Sequence, residues 1–198
     1  MKKTFSILSM ALLLFGCGKT QVEPEQAALQ PDTTTTTTSK KILIAYYSKT
    51  GNTAVMANQI QTLTGGDLFE ITTDHQYPEE YKPTTVQAKE EIANGFKPVL
   101  NKKVDNFADY DIIFIGSPCW WSTVAPAVAS FLSDYDYSGK TVVPFMTHGG
   151  GGFGSTISDI HKLVPTATML EGKIILGNAI NDAYNEVESW LKTIAIIE

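Results

Sequence analysis

Ser48, Lys49, Thr50, Gly51, Asn52 and Thr53 set three hydroxyls, an amide, a cation and one glycine in consecutive positions. Such a set suits the binding of an anion. The apolar run Lys41–Tyr47 before it predicts a strand, and a helix is expected from Thr53. Strand, short polar loop and helix N-terminus, in that order, are how an α/β sheet holds a phosphate. The loop's N–H groups point at the anion and the helix dipole favours its charge. Between Ser48 and Gly66 the only charged side chain is Lys49, so no carboxylate competes. The nucleoside-triphosphate pattern Gly-x-x-x-x-Gly-Lys-Ser/Thr is absent; Gly139-Lys140-Thr141 copies its tail but lacks the first glycine and runs into a strand. Gly-x-Gly-x-x-Gly is absent too, which points to one terminal phosphate, as on a mononucleotide. The plainer alternative is a polar turn between a strand and a helix.

Two later segments carry further ligand-binding chemistry. Ile115-Gly116-Ser117-Pro118-Cys119-Trp120-Trp121 ends a strand in two tryptophans, whose faces suit a flat aromatic ring. Adjacent strand residues point to opposite sides, so one indole is expected to stack and the other to pack inward. Pro144-Phe145-Met146-Thr147-His148 runs into Gly149, Gly150, Gly151 and Gly152, then Phe153. Consecutive glycines let backbone approach a ligand closely. His148 either donates to that ligand or braces the loop, and both readings stay open. Cys119 is read as a loop residue offering its backbone, because a Cys–His pair has no third group here. His75, His148 and His161 lack ligand spacing, so no metal is expected.

Tyr47-Ser48-Lys49-Thr50-Gly51-Asn52-Thr53 resembles the phosphate loop of flavodoxins, and the two later segments resemble their flavin-flanking loops. The resemblance runs from about Lys40 to the C-terminus. It implies FMN, with Ser48, Lys49, Thr50, Gly51, Asn52 and Thr53 around the phosphate. It places Pro118, Cys119, Trp120 and Trp121 on one side of the ring. Thr147, His148, Gly149, Gly150, Gly151 and Phe153 lie on the other. The flavin then carries the chemistry, with no catalytic side chain and His148 as a tuner near the N1–C2 edge. Single-electron flavodoxins flip a glycine peptide in the first loop. No glycine lies between Pro118 and Thr123, which implies little build-up of the neutral one-electron-reduced flavin.

The elements that must position these loops are legible as an alternation. Strands are expected at Lys41–Tyr47, Asp67–Thr72, Asp111–Gly116, Lys140–Met146 and Met169–Leu176. Helices are expected at Thr53–Leu63, near Thr85–Asn94, and at Val124–Leu132, Ser155–Leu163 and Asp182–Ile194. The fold class is α/β: a flavodoxin-like, doubly wound, five-stranded parallel sheet of order 2-1-3-4-5 with helices on both faces.

The N-terminus reads differently. Lys2 and Lys3 precede an apolar run that ends in Leu14-Phe15-Gly16-Cys17, which resembles a bacterial lipobox. Residues 1–16 are therefore expected to be a lipoprotein signal peptide, with Cys17 lipidated. Residues 17–39, with the threonine run Thr33–Thr38, are expected to form a linker, and residues 40–198 the domain. The expected location is the periplasmic face of a membrane, held by the lipid; Gly18 in place of aspartate favours the outer membrane. The chain has a net charge of −6 and no arginine, which excludes nucleic acid. The functional expectation is electron transfer, with a redox partner protein or membrane quinol as partner. An FMN-dependent oxidoreductase acting on a quinone or other small acceptor is the alternative, and a flavin-free binding module of the same shape the third.

Overall fold

The computed structural model describes residues 40–198; Cys17 and the signal and linker segments lie outside the described residues. The first four strands are β1 (Ile42–Tyr46), β2 (Asp67–Glu70), β3 (Ile112–Trp120) and β4 (Thr123–Val124). They are followed by β5 (Thr141–His148), β6 (Thr168–Met169) and β7 (Lys173–Leu176). The helices are α1 (Asn52–Thr64), α2 (Tyr81–Ala93), α3 (Pro126–Ser133), α4 (Thr156–Leu163) and α5 (Tyr184–Thr193). The parallel sheet runs β2-β1-β3-β5, and both β6 and β7 pair with β5. This is the expected flavodoxin-like order, with its fifth strand in two pieces.

Pro144 accounts for the break. Leu170 donates its N–H to the carbonyl of Val142 at 3.0 Å. In a parallel ladder the carbonyl of Leu170 would next accept the N–H of residue 144, and proline has none. Pairing stops there and resumes with Phe145 opposite Lys173. Where a single strand Met169–Leu176 was expected, Leu170–Gly172 leave the ladder. The carbonyl of Glu171 accepts the indole N–H of Trp190 at 3.0 Å.

The central strands are buried on both faces, so their side chains alternate between two cores. Leu43, Ala45, Ile113, Ile115, Val142 and Met146 face Val128 and Phe131 of α3 and Ile160 of α4. Ile44, Tyr46, Phe114, Val143 and Phe145 face Met56 and Ile60 of α1 and Val187, Trp190 and Leu191 of α5. Two boundaries differ from expectation. Helix α2 starts at Tyr81, with Pro83 inside its first turn, where proline is tolerated. Strand β3 extends to Trp120 and folds back on β4, Cys119 opposite Val124 and Trp120 opposite Thr123.

Candidate functional site

The parallel sheet delivers the ends of β1, β3 and β5 to one edge, and the three singled-out segments leave from there. The first segment is built as a helix cap. Gly51 has φ 89°, a left-handed conformation that glycine adopts without strain. Ser48 Oγ accepts the N–H of Ala54 at 3.2 Å. The N–H groups of Thr50, Gly51, Asn52 and Thr53 have no protein acceptor among the described residues. The first turn of α1 carries no acidic residue. Four free donors at the positive end of a helix dipole form a cradle for an oxyanion.

The side chains around that cradle divide. Thr50 and Gly51 are exposed. Lys49 turns aside, its ammonium donating to the carbonyl of Pro78 at 2.7 Å. The amide of Asn52 lies where a Cβ on Gly177 would come within 2.6 Å of it, so Gly177, past the end of β7, makes room for the loop. Thr53 is 1% exposed and Thr147, at the end of β5, 4%. Their hydroxyls meet at 2.8 Å and join the first segment to the third. Replacing either threonine by valine leaves the other hydroxyl buried without a partner. We expect each single variant to lose about 1–3 kcal/mol, and the double variant less than the sum of the two. Urea unfolding of the three variants measures this.

In the third segment His148 braces the loop. Its Nδ1 accepts the N–H groups of Gly150 and Gly152, each at 3.0 Å. That arrangement assigns the ring proton to Nε2, which stays available as a donor. Both roles left open by the sequence are thus compatible in one side chain. Gly149, Gly150 and Gly151 are exposed, while Phe153 is half-buried and packs against the core on the α3–α4 side of the sheet.

In the second segment, Pro118 lies opposite Thr147 across the β3–β5 ladder. The Cys119 thiol donates to the carbonyl of Gly152 at 3.3 Å, tying the second segment to the third. Trp120 meets Tyr47 and Tyr77 edge to face, with ring centroids 5.9 and 4.9 Å away. Trp121 lies beyond the end of β3, in the turn, so strand alternation does not reach it and it does not pack inward. It is 52% exposed, donates its indole N–H to the carbonyl of Thr85 at 2.8 Å, and lies under the ammonium of Lys89. Trp121 and Ser122 form a two-residue turn with φ 50° and 67°. Both central residues are left-handed, as in the mirror-image turns that suit hairpins and ordinarily take Asn-Gly. Each non-glycine residue held there costs about 1–2 kcal/mol.

Neighbours that the sequence did not single out supply the offset. Asp159 Oδ2 accepts from Thr123 at 2.8 Å, Lys162 reaches Oδ1 at 2.9 Å, and the Ser155 hydroxyl lies 2.7 Å from Oδ2. Partial burial pushes the Asp159 carboxyl up, but hydrogen bonds from Lys162, Ser155 and Thr123 outweigh it and hold the group below the usual carboxylate range. Beneath the turn, buried Ser117 accepts the N–H of Ala125 at 2.9 Å. Tyr77 donates to Glu91, which also meets His75 and Gln87. No periodicity or motif marks these residues; they are recognisable only once the hairpin is folded.

Burial, then the charge of Glu91, pushes the Tyr47 hydroxyl up to about 12. Burial and a hydrogen bond to Asp67 do the same for Tyr110. An unfolded tyrosine titrates near pH 10. The folded state therefore holds these protons more tightly, and their stabilising contribution is whole below about pH 10. It is lost as pH rises from there through about 12. We expect stability to fall across that window, and to fall less in Tyr47→Phe/Tyr110→Phe, measured as thermal midpoint against pH.

A comparison with protein families matches residues 41–194 to flavodoxins. The chain belongs to the flavodoxin family. Among solved structures, a protein from Bacteroides eggerthii assigned as a flavoprotein is 32% identical, with a TM-score of 0.65. That match covers 78% of this chain and 98% of the other. A second, from Bacteroides uniformis and assigned in the same way, is 28% identical with a TM-score of 0.69, covering 78% and 99% of the two chains. The flavoprotein of Lactobacillus acidophilus in complex with FMN is 23% identical over 72% of this chain and 97% of its own, with a TM-score of 0.60. At that identity it speaks for the fold. No curated protein matches the chain. The flavodoxin resemblance read from three loops therefore holds for the family and its sheet order.

Proposed function

We propose that this flavodoxin binds FMN at the carboxyl edge of its sheet and works in electron transfer. The observation that carries the reading is the cradle at α1. Four unpartnered N–H groups, a left-handed Gly51 and an acid-free first turn suit one terminal phosphate. The absence of the Gly-x-Gly-x-x-Gly pattern at this turn favours a mononucleotide over a dinucleotide. The loop from Ser48 to Thr53 holds the phosphate, with the Lys49 ammonium turned away to Pro78. Pro118 to Trp121 and Thr147 to Phe153 flank the ring, with backbone N–H groups near the glycines and His148 Nε2 as donors. FMN, when bound, supplies the electron-accepting ring; the chain binds it, orients it and limits its contact with water.

Titration of flavin fluorescence tests this. One equivalent of FMN should quench and saturate, while FAD should bind at least about tenfold more weakly, a difference of 1.4 kcal/mol. A chain that ignores FMN at micromolar concentration leaves the flavin-free reading in its place.

The electron partner in this reading is a redox protein or membrane quinol at the periplasmic face of a membrane, with the chain held there by a lipid on Cys17. The support is the charged, apolar and Gly16-Cys17 pattern of the N-terminus. Cys17→Ser should abolish partition into the detergent phase or leave the precursor uncut. Unchanged mature mass and partition would remove the anchor from the proposal.

A further inference from the structure

The first flavin-flanking segment is held from outside the site, and several of its attachments converge on the start of α4, where one carboxylate, Asp159, joins them. The carbonyl of Ser122 accepts the N–H of Ser155 at 2.8 Å and lies 2.9 Å from the hydroxyl of the same residue. That hydroxyl has one proton and two acceptors within reach, Ser122 O and Asp159 Oδ2. Thr123, the next residue of the hairpin, donates to the same Oδ2. Gly154, with φ 54°, completes the fit: a Cβ there would come within 2.2 Å of the Ser122 Cβ. The turn thus rests in a notch at the start of α4, on a backbone conformation that neither Trp121 nor Ser122 favours in isolation.

We infer that Asp159 is a positioning residue for this site, acting through Thr123 and Ser155 to hold the Trp121–Ser122 turn and the Trp120 wall in one conformation. Thr123 stands directly opposite Trp120 in the antiparallel pair, so displacement of Thr123 is transmitted to Trp120. The wall is consequently a fixed surface, with the Ser122 carbonyl already engaged by Ser155. The ligand of that wall is taken from the flavin reading above; the clamp itself is a property of the folded chain.

Two variants break the clamp from opposite sides. Asp159→Ala removes the acceptor, and Thr123→Val removes one donor at nearly constant shape. Thr123→Ser keeps that donor and serves as the rescue. Amide hydrogen exchange, in the chain without flavin, reads the Ser155 N–H against the core amides of Ile113 and Val143. In Asp159→Ala and Thr123→Val the Ser155 amide should exchange at least about tenfold faster at unchanged core protection, and Thr123→Ser should match wild type. The FMN dissociation constant should rise roughly three- to tenfold in the first two variants alone. Unaltered Ser155 exchange overturns the inference. So does an acceleration in step with the core amides, which would make Asp159 a support of the fold only. A wild-type chain that binds no FMN overturns the flavin reading by itself, because Ser155 exchange reports the clamp without any ligand.

Discussion

Gly116→Ala should lower stability by about 3 kcal/mol, the upper part of the range for overpacked cores. A methyl at this position would sit 2.2 Å from Cζ of Phe145 and 2.7 Å from Cβ of Tyr46. Both residues are buried, one on each neighbouring strand, and Gly116 pairs with both. A Cβ cannot rotate away, and the Phe145 ring, fully enclosed, has no free space to enter. For a domain of this size the change corresponds to a fall of roughly 6–12 °C in thermal midpoint. Gly149→Ala is the control. Nothing lies within 4 Å of the added methyl, and a change within about 0.5 kcal/mol is expected. Combining Gly116→Ala with Phe145→Leu should cost less than the sum of the two, by about 1 kcal/mol, since the smaller side chain removes the collision. Additive losses in the double variant would place the strain elsewhere.

Thr50→Glu should weaken FMN binding more than tenfold, or about 1.4 kcal/mol, without loss of stability. Thr50 is exposed, so the longer side chain displaces nothing. Its carboxylate would stand beside the free N–H groups and the positive end of the α1 dipole. There it stabilises the helix by about 0.3–1 kcal/mol, while occupying the position proposed for the phosphate. Thr50→Gln, of similar length and uncharged, should lose much less affinity. Stability from urea unfolding and affinity from flavin fluorescence are expected to move in opposite directions. Equal affinity in wild type and the Glu variant would put the phosphate elsewhere.

The sheet order and the three loops were legible because both rest on strong local signals. Apolar runs such as Ile42–Tyr46 and Ile112–Ile115 are buried on both faces and admit no competing period. Gly51 and the absence of any carboxylate around it marked the first loop before any contact was known. The split of the fifth strand was written in Pro144, but only as a missing donor. Its effect falls on Leu170, just past the end of β6, so register had to be known first. The Trp121–Ser122 turn was illegible for the opposite reason. A two-residue hairpin turn ordinarily declares itself by Asn or Gly, and here tertiary contacts from Ser155, Asp159 and Thr85 hold residues that local propensity would refuse. Side chains that serve the site without touching it follow no spacing rule, and Lys49, bonded to Pro78, illustrates the converse. Its position in the loop suggested a phosphate contact, whereas its ammonium fastens the loop to the connection after β2.

The parallel strands also give the domain two unlike ends. The chain enters at Lys40, beside Asp111, where β1 and β3 begin; all three loops leave from where those strands finish. The five residues of β1 alone separate the two ends by about 17 Å, at roughly 3.4 Å per residue. Lys40, where the domain begins, and the three loops thus lie at opposite ends of β1. The edge proposed for the flavin is therefore left open to a partner protein approaching from the side away from Lys40.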